Sequence, residues 1–413
     1  MRQIFSRNTK LIHIIAYFIT LVFSVGFIVI GNQIASKNTA AVLKVNDTIH
    51  PVKATVRMIV DRTEDEYDLG GTIITSVYVK FVARIQNEAQ KGNDVMALQT
   101  IDGYMPSGLK EVEVGDKVLI TENLDNPGDY AFLFVEYLRT DALIWLGIIF
   151  LALLLLFGGL KGFNTIISLT FTCLAIFLVF IPSILSGYNI YVSSIIISLY
   201  VIVMSLLIIN GPNKKTWVSI IGCFFGVLLS GLITVIMDYF IKLTGYVDED
   251  STYLAILETP NPIDLKAIIF GAIIIGAMGA IMDVAMSVAS ALYEVNEESQ
   301  NPTFRSLLKS GFAIGRDMMG TMTNTLILAY IGSSLTVVLL LIVYNPSITN
   351  LLNREMIVVE ILQALVGSTG ILFTIPFTSL LAALLYSRTG RKKVIGQPPL
   401  ANTATEKNEE TDH

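Results

Sequence analysis

Residues 270–295 read FGAIIIGAMGAIMDVAMSVASALYEV. A helix needs about 20 predominantly apolar residues to cross the hydrocarbon of a bilayer, and this stretch supplies them. It is not uniformly apolar, however. Gly276, Ala280, Asp283, Ser287, Ser290 and Glu294 recur at steps of three or four and therefore share one helix face. An aspartate at the centre of a span costs about 2.5–3.5 kcal/mol on insertion scales, so Asp283 asks for a reason. Small residues let another helix come close, and polar ones bond across the contact.

Outward from this stretch lie seven more apolar runs: 11–30, 142–160, 163–182, 191–209, 217–237, 318–344 and 356–386. With 267–292 they predict about eight transmembrane helices. The last run exceeds one crossing, so it is expected to tilt or to kink at Pro376. Composition agrees with the class. The chain is 53% hydrophobic and 15% charged, where a soluble domain carries about a quarter charged residues.

Basic residues set the orientation. With the N-terminus inside, the cytoplasmic segments carry Arg2, Arg7, Lys10, Lys161, Lys214, Lys215, Arg305, Lys309, Arg316 and the cluster from Arg388 to Lys393. The short outer loops hold only Lys242, Lys266 and Arg354. This bias puts both termini in the cytoplasm. The expected layout is 1–31, N-terminus and first span; 32–141, an outer domain; 142–387, a seven-helix membrane domain; 388–413, a basic and then disordered tail. The first run could instead be a cleaved signal peptide, but it is long for an h-region of about 7–15 residues. Either way the segment after it lies outside.

That outer segment reads as β-rich. Period-two alternation runs through 54–60 and 73–82, with a third strand at 95–100. A Gly115-Asp116 turn is expected to join two strands within 111–120. About five short strands suggest a small closed barrel, of the OB type among others. With only Cys173 and Cys223, both in apolar runs, no disulfide staples this domain. It has no aromatic-plus-basic cluster, and the net charge is -6, so nucleic acid is not an expected partner.

The other late runs also carry small-and-polar stripes. The seventh has Asp317, Thr321, Asn324 and Thr325; the fifth has Gly222, Gly226, Ser230, Thr234 and Asp238; the eighth has Glu360, Gln363, Gly367, Gly370 and Thr374. Four stripes packed around one shared interior make the simplest arrangement, with Asn324 at a depth similar to Asp283. One reading is helix packing alone; the other is a polar pathway or site for a small solute or ion, built on Asp283 with Asn324, and with Ser287, Thr321, Glu294 and Asp317 beside them. Asp238 and Glu360, near the outer face, and Gln363 are weaker candidates. Between the sixth and seventh runs, Phe304, Leu307, Leu308 and Phe312 recur at helical spacing. They predict a short amphipathic helix on the inner leaflet, or a docking surface at 296–312 for a cytoplasmic partner such as an ATPase subunit. The loop 238–266 is acidic, with Asp248, Glu249, Asp250, Glu258 and Asp264, and reads as solvated rather than as a cation site.

Enzymatic motifs are missing. There is no G-x-x-x-x-G-K-[ST] and no H-E-x-x-H, and the three histidines, His13, His50 and His413, are far apart. No membrane-embedded histidine accompanies a serine, and no Gly-x-Gly-Asp motif occurs. Non-enzymatic function without metal or cofactor is the expectation.

The segments FGGLKG at 157–162, GAMGAIMDVAMSVASALYEV at 276–295 and GRDMMGTMTNTLILAYIGSSL at 315–335 resemble the YibE/F-like family of multi-pass bacterial membrane proteins. The layout of one helix, an outer domain and seven helices is also similar, and the likeness spans 141–388. Matching positions include Asp283, Glu294, Asp317, Thr321 and Asn324. The resemblance implies a bacterial cytoplasmic-membrane protein and brings no substrate. Two functions are therefore carried forward: a permease with its polar site among the fifth to eighth helices, or a non-transporting component whose outer domain senses or binds an envelope partner. The expected partners are the lipid bilayer and a second copy or a related membrane subunit.

Overall fold

The computed structural model describes residues 2–37, 51–69, 72–86, 91–103, 110–123, 130–257, 259–299, 302–344 and 347–394. Contacts divide the chain into two compact units, 43–159 and the combined segments 1–42 and 160–413. The tail beyond 394 and Glu258 lie outside the described residues, as do the side chains of the basic cluster at 388–393.

The smaller unit holds five strands: β1 (Val52–Leu69), β2 (Thr72–Ile85), β3 (Asp94–Ile101), β4 (Lys117–Glu122) and β5 (Phe132–Tyr137). They close into a barrel in the order β1-β2-β3-β5-β4. β1 pairs antiparallel with both β2 and β4, and the short parallel pair of β3 with β5 completes the ring. This is the connectivity of the OB barrel. Alternate residues fill the interior: Ala54 and Val56 from β1; Val79, Phe81 and Ala83 from β2; Val118 and Ile120 from β4. Two register shifts, at Val56/Met58 and Ile59/Asp61, bend β1 around the barrel.

Two features differ from the sequence reading. The strands are not all short: β1 and β2 have 18 and 14 residues. β2 pairs with β3 only from Val77 onward. Residues 65–69 of β1 and 72–76 of β2 thus form a two-stranded ribbon, which outruns the barrel and carries Asp65, Glu66 and Asp68. Residues 111–114, expected as a strand before the Gly115 turn, form none. Their alternation mimics a strand, but Gln99 holds the segment instead. The Val112 N–H donates to Gln99 Oε1 at 2.9 Å, and Gln99 Nε2 donates to the Lys110 carbonyl at 3.1 Å. Gln99 is fully buried.

The larger unit is helical. Its elements are α1 (Arg2–Ala35), the part of α2 (Thr140–Ala175) beyond Gly159, a π turn (Ile176–Phe180), α3 (Ile181–Leu185), α4 (Ile190–Asn210), α5 (Lys214–Ile241), α6 (Glu249–Ile256), α7 (Leu265–Glu298), α8 (Phe304–Ser333), α9 (Leu335–Tyr344), α10 (Ile348–Leu352) and α11 (Glu355–Val394). Side-chain caps start the helices where the chain leaves loops. Asn189, Asn213, Asp264 and Thr303 each accept a backbone N–H from the first turn that follows. α2 is broken at Gly159, with φ 52° and ψ −130°, inside the FGGLKG turn read from sequence. Among the described residues, six helices are long and apolar enough to cross a membrane, or seven if the bent pair α8 and α9 is one span.

α7 is the hub. Ile273, Ala277, Ile281, Val284, Val288 and Leu292 are all nearly or fully buried along it. It packs against α4, α5, α8 and α11. The small amphipathic helix expected at 304–312 is not separate. Those residues are the first turns of α8, and Leu307 and Gly311 are buried. Gly315 does not stop the helix, because it is where α8 presses on Ile375 of α11, whose Cγ2 would stand 2.1 Å from an added Cβ.

Gln99→Leu leaves the Val112 N–H without a partner and removes one of two donors from the Lys110 carbonyl, which keeps the Tyr137 hydroxyl. The barrel is expected to lose about 1–3 kcal/mol, the penalty of one orphaned group, read by chemical denaturation of the intact chain's barrel signal. Acid weakens the barrel too. Hydrogen bonds from Arg84 and Arg62 hold Asp94 and Glu111, respectively, below the usual carboxylate range. A depressed folded pKa means stability that is present above about pH 4 and lost as pH falls through the lowered values. The barrel's melting temperature is therefore expected to drop below pH 4, and the drop to shrink in Arg84→Met.

Candidate functional site

The four small-and-polar stripes separate into two settings. Those of α5 and α11 meet each other. A Cβ added at Gly222 would stand 2.1 Å from Thr378 Oγ1, one at Gly226 2.0 Å from Thr374 Oγ1, and one at Gly370 2.1 Å from Ser230 Oγ. Three hydroxyls in this seam bond back to their own helices: Ser230 to the Gly226 carbonyl at 3.0 Å, Thr234 to that of Ser230 at 2.8 Å, and Thr374 to that of Gly370 at 2.7 Å; that of Thr378 is buried with no partner among the described residues. The seam is tight packing of backbone on backbone.

The stripes of α7 and α8 do not join that interior. Asp283 and Glu294 of α7 are exposed and Ser287 is half-buried; Asp317, Thr321, Asn324 and Thr325 of α8 are exposed. The two helices run antiparallel. Gly276 lies against Tyr330, while Leu292 lies against Gly311. Interpolating between these contacts sets Asp283 level with Thr321, Ser287 level with Asp317, and Asn324 less than one turn from Asp283 in depth. Among the described residues no hydrogen bond links Asp283 to Asn324. The Thr321 and Thr325 hydroxyls are satisfied locally, by the Met318 and Thr321 carbonyls at 2.9 Å each. At about 1.5 Å per residue, Asp283 stands about 25 Å along α7 from Lys266.

The arrangement is thus one polar face on two neighbouring helices rather than an enclosed chamber. Sequence gave the face but not its direction. It also gave too little weight to Arg316, which is exposed beside Asp317.

The remaining candidates fall elsewhere. Glu294 pairs with Lys215 at 3.0 Å, and Lys215 also lies 4.9 Å over the Tyr293 ring. Asp238 pairs with Lys266 at 3.5 Å. Gln363 is half-buried on α11. Glu360 lines a cleft of about 230 Å³ with Tyr330, Ser334, Ile357 and Ile361. There the Tyr330 hydroxyl is enclosed and has no hydrogen-bond partner among the described residues. The cleft sits where α8 gives way to α9 through a 61° bend. The sequence reading runs 318–344 as one span and misses this break. Its cause is local: the Ser334 N–H and the Ser333 and Ser334 hydroxyls all donate to the Tyr330 carbonyl, at 3.1, 2.8 and 3.0 Å. Gly332-Ser333-Ser334 was the available signal.

Long apolar helices around a buried apolar hub, with a separate small β-barrel, define a mainly helical membrane protein. The chain belongs to the YibE/F-like protein family, whose profile matches residues 146–388. That region holds every helix from α4 to α10, most of α11, and the whole polar face. No curated protein and no solved structure matches the chain.

The two settings respond differently to a methyl group. Gly226→Ala is expected to cost about 1–3 kcal/mol through overpacking. Gly279→Ala, where nothing lies within 4 Å of the added Cβ, is expected not to lower stability, since alanine favours helix by about 1 kcal/mol. Thermal unfolding in detergent distinguishes them.

Proposed function

We propose that this chain is a permease-like protein of the bacterial cytoplasmic membrane, whose α7–α8 polar face forms a wall of a hydrated path for a small solute or ion. One observation carries the reading: Asp283, Thr321 and Asn324 are exposed together on two antiparallel helices, between the Gly276–Tyr330 and Leu292–Gly311 contacts of that pair. Hydrocarbon offers a carboxylate or an amide no partner, so a polar face at this depth meets water or protein. Asp283 would attract a cation or take up a proton, while Asn324 and the threonines offer neutral oxygens along the same line.

In this reading the chain crosses the membrane eight times. The break at Gly159 divides α2 into two crossings, and the α8–α9 pair supplies one more. The excess of lysine and arginine on alternate connections supports cytoplasmic termini and an outer barrel. No catalytic residue, metal or cofactor takes part.

A second reading is supported by the β1–β2 ribbon. Its open strand edges and acidic side chains suit an envelope partner that adds a strand, with the helices serving as an anchor. A cytoplasmic partner at 296–312 would have to use Phe304, Arg305 and Phe312, because Leu307 and Gly311 are occupied within the chain.

Cysteine accessibility decides between the two. In a Cys173→Ala, Cys223→Ala background, single cysteines replace residues 276–294 and 317–329. A membrane-impermeant thiol reagent is expected to label positions 283, 287 and 324 from at least one side. Reaction confined to the helix ends would remove the pathway and leave the barrel as the seat of function.

A further inference from the structure

Asn324 on α8 is exposed, and among the described residues its amide has no partner; the Thr321 and Thr325 hydroxyls are bonded within the helix, while that of Thr323 has no partner either. Around it the surface is cut flat. Gly320 and Gly332 on α8, and Gly279 on α7, have nothing within 4 Å of an added Cβ. Open space over small residues, with an unanswered amide among them, has the form of a helix–helix contact whose second helix is missing.

We propose that a second copy of this chain covers the α8 face, related by a two-fold axis normal to the membrane, with Asn324 of one copy bonded to Asn324 of the other. Three properties select a copy over an unrelated partner. A two-fold axis in this direction brings each residue to the depth of its counterpart. An amide carries both donors and an acceptor, so it complements itself at equal depth. Arg316 and Asp317 are adjacent, opposite in charge and both exposed, so the same axis sets Arg316 of one copy beside Asp317 of the other. The inference rests on α8 being a membrane span, as proposed above. It does not need the face to be wet, although a second copy would supply the facing wall of the path.

The test uses the full chain in native membranes, again without Cys173 and Cys223. Thr321→Cys and Leu328→Cys flank Asn324, and Leu228→Cys on α5 is the control, being exposed but remote in the helix order. Copper-phenanthroline oxidation is expected to give a covalent homodimer from the first two and none from the third. Adding Asn324→Leu to Leu328→Cys is expected to shift the dimer about three- to tenfold toward monomer, the range of an interhelical hydrogen bond in a membrane. Arg316→Glu is expected to weaken the dimer, and Arg316→Glu with Asp317→Arg to restore it. No cross-link at 321 or 328 in well-expressed protein overturns the proposal, as does a cross-linked product of any mass other than two copies. The pathway stands or falls separately: thiol labelling without a dimer keeps the path and sinks the pairing, and a dimer that no impermeant reagent reaches does the reverse.

Discussion

A bilayer interior gives a polar group nothing to bond with, and that constraint orders the whole membrane unit. Backbone groups meet it by forming helices. Hydroxyls meet it by turning back on their own helix, as Ser194, Ser230, Thr234 and Thr374 do. Bonded this way, they behave as small side chains, and α5 and α11 can press glycine against threonine without leaving a charge unpaired. What back-bonding cannot satisfy is a carboxylate or an amide. On the sequence-derived face Glu294 finds Lys215, while Asp283, Asp317 and Asn324 need something beyond their own helix, which is why functional interest collects there.

Membrane helices and the barrel were legible for different reasons. Length and apolarity marked the long helices, and FGGLKG marked the break at Gly159. The direction of the α7 stripe was not legible. In water, polarity says which face is outside; in a bilayer, both lipid and protein interior are apolar, so a polar stripe says only that it needs a partner. The four stripes looked alike in sequence, yet two met in a dry seam and two faced outward. The difference lies in what the rest of α7 carries: an unbroken row from Ile273 to Leu292 that is larger, more apolar and wins the hub.

In the barrel, alternation placed β1, β2 and β3, but two features escaped it. The alternation read at 54–60 stops short of Asp61, yet cross-strand pairing with β2 carries β1 on to Leu69. Glu111 to Val114 looked like a strand, though the buried amide of Gln99 fixes it as an irregular segment. Strand pairing over long ribbons and single buried amides are both non-local, and neither leaves a periodic trace.

α8 and α11, two long helices that pack on α7, differ in their backbone ladders. α11 runs on as helix through Pro376, where the ladder permanently lacks one N–H. The α8–α9 bend is made by serine hydroxyls gathered on one carbonyl. Those hydroxyls can rotate away, at a cost of about 1 kcal/mol for each hydrogen bond exchanged. One feature is therefore written into the covalent chain and the other is reversible. The Glu360 cleft sits beside the reversible one, so its shape follows the rotamers of two serines.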